Sequence, residues 1–285
     1  MVAQPSAQTV RSHGFQRPFH TLQLISWVVF GCDVVIFMLV SVPLLDGLAQ
    51  IIVGTCFVLS VLTLVCSCYQ AMVCDPKVVD EPTPLIEEGE KKSFRCMQCK
   101  KSVPFRSKHC RDCNKCTDVF DHHCKWLNNC IGKRNYRWFL YTLTSVTVMT
   151  GIAAVCCAIL FIECVISSER MDAQLQAYVL PAPFVFALLV IMILVNVPLF
   201  CLEAQLIMLH IFLAWMHLTT WEYILYKHSK ESADSSNHLA KGARIGGQVI
   251  GSMQTLPRCM DWIVFRPKKK NGKTAAASEE KGERD

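Results

Sequence analysis

The chain has 285 residues, 52% of them hydrophobic, and a formal charge of +6. That apolar share exceeds the roughly 45 to 50% of ordinary globular domains, glycine included, and excludes a conventional soluble fold of this size. The basic excess points to membrane orientation and to anionic lipid or phosphate groups, and no nucleic acid need be invoked.

Residues 1–20 read as a polar cap without periodicity. Apolar stretches follow at residues 22–45, 48–73, 138–166 and 184–218. Each exceeds the roughly 20 residues that cross a hydrocarbon core at about 1.5 Å per residue. The first outruns a signal-peptide core and is followed almost at once by the second, so cleavage is not expected. The organisation predicted is an N-terminal segment (1–20), two transmembrane helices (21–73), a linker (74–93), a cysteine-rich module (94–137), a third helix (138–166), a loop (167–183), a fourth helix (184–218) and a C-terminal segment (219–285).

Lysine and arginine divide as 2 before the first span, 14 between the second and third, 1 (Arg170) between the third and fourth, and 12 after residue 218. The positive-inside rule then places both termini and the cysteine-rich module in the cytosol. Pro76, Pro82, Pro84 and the acidic run Glu87, Glu88 and Glu90 mark a solvated connector. The fourth stretch holds Pro198, Glu203 and His210 and reads as one long helix kinked near the proline. Of the intramembrane carboxylates Asp33, Glu163 and Glu203, only Asp33 lies deep in a span. Residues 267–285, with Lys268, Lys269 and Lys270, read as a disordered tail. The fold class expected is an all-α polytopic membrane protein with four transmembrane helices and a small zinc-stapled cytosolic module between helices 2 and 3.

That module carries the chemistry. Residues 96–130 contain seven of the seventeen cysteines and three histidines. Cys96 and Cys99, Cys110 and Cys113, and Cys113 and Cys116 each have the C-x2-C spacing of tetrahedral zinc sites. Two zinc ions need eight ligands. Cys96, Cys99, Cys110, Cys113, Cys116, Cys130, His109 and one of His122 or His123 supply them, leaving Cys124 and the other histidine free. A free cysteine beside a histidine and Asp121 suits nucleophilic chemistry. The competing reading is a zinc-stapled membrane adaptor with no turnover. The segment is too short of apolar residues to fold unaided, so metal must contribute on the order of 10 kcal/mol per site.

The string Cys96-x2-Cys99, then Pro104-x-Arg106-x2-His109-Cys110-x2-Cys113-x2-Cys116-x4-Asp121-His122-His123-Cys124-x-Trp126-x2-Asn129-Cys130-Ile131-Gly132-x2-Asn135-x3-Phe139 resembles the cysteine-rich domain of DHHC-type protein S-acyltransferases. Asp75-Pro76 resembles that family's Asp-Pro-Gly motif, and Thr219-Thr220-Trp221-Glu222 matches its Thr-Thr-x-Glu motif. The resemblance implies transfer of a long acyl group, commonly palmitoyl, from acyl-CoA to cysteine thiols of membrane-associated proteins through an acyl-enzyme. It implies Cys124 as nucleophile, His122 as base and Asp121 as the group that orients the base. It also implies one zinc on Cys96, Cys99, His109 and Cys116, and another on Cys110, Cys113, His123 and Cys130. Thr219, Thr220, Glu222 and Asn135 are supporting positions, while Lys125, Lys133 and Arg134 are candidates to meet the CoA phosphates. The membrane expected is that of the endoplasmic reticulum or Golgi. Lys77 stands where the family has glycine, Lys125 where it commonly has proline, and its asparagine-containing C-terminal motif finds no clean match.

Overall fold

The computed structural model describes residues 9–79, 93–166 and 169–240, with side chains described as far as 232. The acidic run at Glu87, Glu88 and Glu90 and the lysines at 268–270 lie outside the described residues.

Helix α1 (Thr21–Ile36) opens on His20, whose Nδ1 accepts from the Leu22 N–H at 3.1 Å. It passes into a π-helical turn (Phe37–Ser41) and a 3-10 turn (Val42–Leu44) before the chain reverses at Asp46. The first of these turns is wider and the second tighter than an α-helical turn, and together they end the helix. Here Phe37 packs on Phe57 of α2 (Gly47–Val73), with ring centroids 4.1 Å apart. Helices α3 (Tyr136–Val165) and α5 (Ala182–Trp215) complete the set, and α3 packs on both α2 and α5. All four helical segments are long and apolar enough to cross a bilayer. Their outward faces keep large apolar side chains exposed, such as Val28, Leu62, Val155 and Leu194, as suits a surface facing lipid.

Polar residues inside the bundle pair across helices. Asn196 donates to Asp33, and Thr150 donates to Glu203 at 2.7 Å. In lipid, an unpaired carboxyl costs more than one held by a neighbouring helix. Helix α5 runs through Pro198 unbroken. The loop expected at 167–183 contains a short helix, α4 (Glu169–Ala177), with Glu169 and Asp172 in its first turn, where the helix dipole favours them. Its Arg170 bonds Asp46 at 2.6 Å and the Leu44 carbonyl at 3.1 Å, and also pairs with Glu163, tying this loop to the α1–α2 turn.

Between α2 and α3 lie three antiparallel hairpins of three-residue strands. These are β1 (Ser93–Arg95) with β2 (Ser102–Pro104), β3 (Lys108–Cys110) with β4 (Lys115–Thr117), and β5 (His122–Cys124) with β6 (Asn129–Ile131). Among the described residues, two small buried clusters, one around Cys110, Cys113, Phe120 and Cys130 and one around Cys96, Val103 and Cys116, are the core this module has of its own. Cys124, Leu127 and Ile131 join the bundle's core instead. The module is fastened to α2 by two asparagines. Asn129 Nδ2 lies 3.1 to 3.2 Å from the carbonyls of Ala71, Met72 and Cys74, and Asn135 Nδ2 donates to Ala71 at 3.2 Å. They satisfy carbonyls that a helix C-terminus leaves without partners. Lys115, fully buried, bonds Asp75 at 2.7 Å beside them. The polar cap expected at 1–20 is docked at Arg11 and Gly14, through backbone bonds that composition does not announce.

Candidate active site

The hairpins bring the eight cysteine and histidine ligand atoms into two quartets. Cys96, Cys99, His109 and Cys116 form one, and Cys110, Cys113, His123 and Cys130 the other, each with its atoms within 4.8 Å of one another. Zn–S bonds of about 2.3 Å and Zn–N bonds of about 2.0 Å imply tetrahedron edges of roughly 3.5 to 3.8 Å. In the first quartet, His109 Nδ1 stands 3.3 and 3.8 Å from the sulfurs of Cys99 and Cys116, which are 3.6 Å apart. In the second, His123 Nδ1 stands 3.4 to 3.7 Å from three sulfurs. Both sets therefore fit a zinc ion in donor type and in size. Each site takes the turn of one hairpin and a cross-strand pair from the next: His109 faces Cys116 in the β3–β4 register, and His123 faces Cys130 in β5–β6.

Cys124 belongs to neither quartet. It is buried, 6% exposed, and its sulfur meets the His122 imidazole and the backbone N–H groups of Trp126 and Leu127. His122 Nδ1 lies 2.6 Å from Asp121 Oδ2, so Nδ1 carries the proton and Nε2 is the nitrogen left to act. Burial pushes the imidazole down, but the bonds to Asp121 and Cys124 outweigh it and raise it to about 9. Burial pushes the thiol up, and the same imidazole with the two N–H groups turns it below its ordinary value. Each member of the pair favours the charged form of the other.

Asp121 is almost wholly buried and takes a second bond, from the Thr220 N–H at 2.8 Å. That N–H is the first of α6 (Thr220–Ala240), where unpaired backbone donors favour an anion. The helix start is fixed by a capping box. The Thr219 N–H donates to Glu222 at 2.8 Å, and the Glu222 N–H donates to Thr219 Oγ1 at 3.2 Å. Glu222 also takes Arg106 on both oxygens at 2.6 Å, which holds its carboxyl below the ordinary value against the upward push of burial. Asn135 Oδ1 accepts from the Gly132 N–H at 3.0 Å, closing the turn into α3.

The described module and helices match known proteins. A family profile described as DHHC palmitoyltransferase matches residues 89–227. The mouse protein named Palmitoyltransferase ZDHHC1 is 32% identical over 260 residues, 81% of this chain and 54% of that protein. Residues 89–227 are thus a DHHC-type domain. The human protein of the same name is 32% identical over 268 residues, covering 55% of its length, so the chain spans about half the length of these curated relatives.

Among the residues expected at a DHHC site, Lys125, Lys133 and Arg134 are exposed, and Lys133 lies 3.8 Å from Asp118. Two neighbours of His122 escaped the sequence reading as site residues. Phe139 sets its ring edge-on 5.1 Å from both His122 and His210, and Tyr136 Oη lies 3.0 Å from His210 Nδ1. In sequence His210 is one polar residue in a long apolar run. Arg106 stands 116 residues from its partner Glu222, beyond any local pattern.

Proposed function

We propose that this chain is a protein S-acyltransferase, taking a long-chain acyl group, palmitoyl among them, from acyl-CoA and passing it to cysteines of membrane-associated proteins. The observation that carries this reading is the placement of Cys124 outside both metal quartets, against an imidazole whose other nitrogen is held by Asp121.

In the first half-reaction, the Cys124 thiolate attacks the thioester carbonyl, the bond to the CoA sulfur breaks, and His122 returns a proton to the departing thiolate. In the second, an acceptor cysteine gives its proton to His122 and attacks the Cys124 thioester, freeing the enzyme thiol. Asp121 keeps Nδ1 protonated and stabilises the imidazolium. Bound zinc would supply folding energy and no step of the chemistry. The acyl chain, worth about 0.8 kcal/mol per buried CH2, belongs in the apolar bundle next to Cys124. Lys125, Lys133 and Arg134 are proposed to meet CoA phosphates. The charge distribution supports a cytosolic module and termini, and the membrane proposed is that of the endoplasmic reticulum or Golgi.

Autoacylation with labelled acyl-CoA tests the reading against a silent adaptor. Label on Cys124 that hydroxylamine releases is the expected result; no label on zinc-loaded protein favours the adaptor.

Two further outcomes follow from the site. His122→Ala should slow single-turnover acylation more at pH 7 than at pH 9. The lost imidazole no longer lowers the thiol, so alkali must make the thiolate instead, and the deficit narrows as pH rises. A deficit that stays constant across this range would remove His122 from that role. Glu222→Gln should slow acylation several-fold while costing about 1 kcal/mol or less of stability, because its partner Arg106 is well exposed. A thermal melt paired with the single-turnover rate separates loosening of the Asp121 contact from loss of the fold.

A further inference from the structure

The three hairpins repeat at an interval of 14 residues. Cys96, Cys110 and Cys124 stand in one column of this repeat, and Cys99, Cys113 and Leu127 in the next. Pairing follows the same interval: Arg95 with Ser102, His109 with Cys116, and His123 with Cys130. Each turn also has its left-handed residue at the same place, Lys100 at φ 54°, Asn114 at 50° and Asn128 at 50°. In the first turn the Cys99 N–H points at the Cys96 sulfur, 3.4 Å away, as those of Trp126 and Leu127 point at Cys124. The first two turns each present two thiols to one metal site. The third has the same backbone but a leucine where its second thiol would be, and no hairpin follows to supply a histidine and cysteine.

What covers the third turn is the N-terminal strap. Asn128 Nδ2 donates to the carbonyls of Gly14, at 3.4 Å, and Pro18, at 3.2 Å. The Gly14 N–H donates to Met72 at 2.8 Å, its carbonyl also takes Gln23 Nε2 at 3.1 Å, and the Arg11 N–H donates to Cys113 at 2.9 Å. A Cβ on Gly14 would lie 2.1 Å from the Leu127 carbonyl oxygen, so the strap presses directly on the turn that aims its N–H groups at the nucleophile.

We propose that the Cys124–Asn128 turn is a zinc knuckle that holds a nucleophile in place of a metal, and that Gly14 and Asn128 are positioning residues that keep its backbone donors on the Cys124 sulfur. The proposal deepens the acyl-transfer reading and rests on it for its kinetic arm. Holding the sulfur costs no second thiol, because the turn's own N–H groups and His122 face it. The strap supplies the wall that the next hairpin supplies in the other two sites.

Two measurements on the full chain test this. Gly14→Ala should lower kcat for Cys124 acylation by about tenfold or more, with KM for acyl-CoA little changed and two zinc retained, since a small displacement of reacting groups costs rate before it costs binding. Asn128→Asp, which removes both donors while adding no bulk, should do the same, and the double variant should fall no further than the worse single one. Leu127→Cys should rebuild the missing thiol and, with the neighbouring His122 imidazole as third ligand and water as fourth, raise bound zinc under reducing conditions from two to about three per chain and silence acylation.

Full kcat in both strap variants, or zinc loss in both that tracks the activity, would reduce the strap to a fold staple and overturn the positioning role. A Leu127→Cys chain that stays at two zinc with its added thiol reduced would overturn the knuckle. A wild-type chain that forms no Cys124 acyl-enzyme defeats the transferase reading instead, and leaves the zinc count of Leu127→Cys to judge the turn.

Discussion

Cys124→Ser should abolish acyl-enzyme formation, a loss of several orders of magnitude, while both zinc ions remain bound. The sulfur lies outside the two quartets, so exchanging it for oxygen removes no ligand. Serine keeps a hydroxyl in the same buried turn, so packing against Leu127 and Ile131 changes little. What goes is the thiol whose ionisation the imidazole favours, because a hydroxyl paired with this imidazole stays protonated. Zinc analysis alongside autoacylation checks both halves. Fewer than two zinc in the purified variant would mean that Cys124 is a ligand after all.

Replacing Cys99, Cys113 or Cys130 by alanine should have the opposite character, unfolding the module before it touches any reacting group. A structural zinc ion is worth on the order of 10 kcal/mol of folding free energy, and the module's own buried clusters are a handful of side chains. Limited proteolysis within residues 93–135 should rise, with activity lost alongside zinc. Because β3 carries His109 of one quartet and Cys110 of the other, damage at Cys113 should spread to the first site through that strand. Native protease resistance in any of these variants would rule out metal as the source of the module's stability.

The sequence was most legible where residue type and spacing coincide with the chemistry. Thiols two residues apart announce the turns of the two quartets, and Asp121-His122-His123-Cys124 announces the group proposed as nucleophile and base. The four spans are legible from apolar length alone. From residues alone, His122 and His123 could not be told apart. The fold separates them, since they fall on opposite faces of β5, one toward Asp121 and the other toward Cys110 and Cys113.

Contacts made by the backbone were the least legible. Gly14 and Arg11 dock through main-chain atoms that every residue possesses, so residues 9–20 looked like a featureless cap. Helix α4 hides in a loop because its single buried side chain, Met171, gives no periodicity. The Arg106–Glu222 and Tyr136–His210 pairs join segments that only folding brings together.

The attachment of Asn129 and Asn135 to the end of α2 gives the bilayer a mechanical hold on the chemistry. Those side chains bond the last carbonyls of a transmembrane helix, and Asn129 faces Cys124 across the β5–β6 register. A helix that tilts to match a thinner or thicker membrane therefore carries the Cys124 turn with it, and the depth of that sulfur relative to the lipid surface is set at the end of α2.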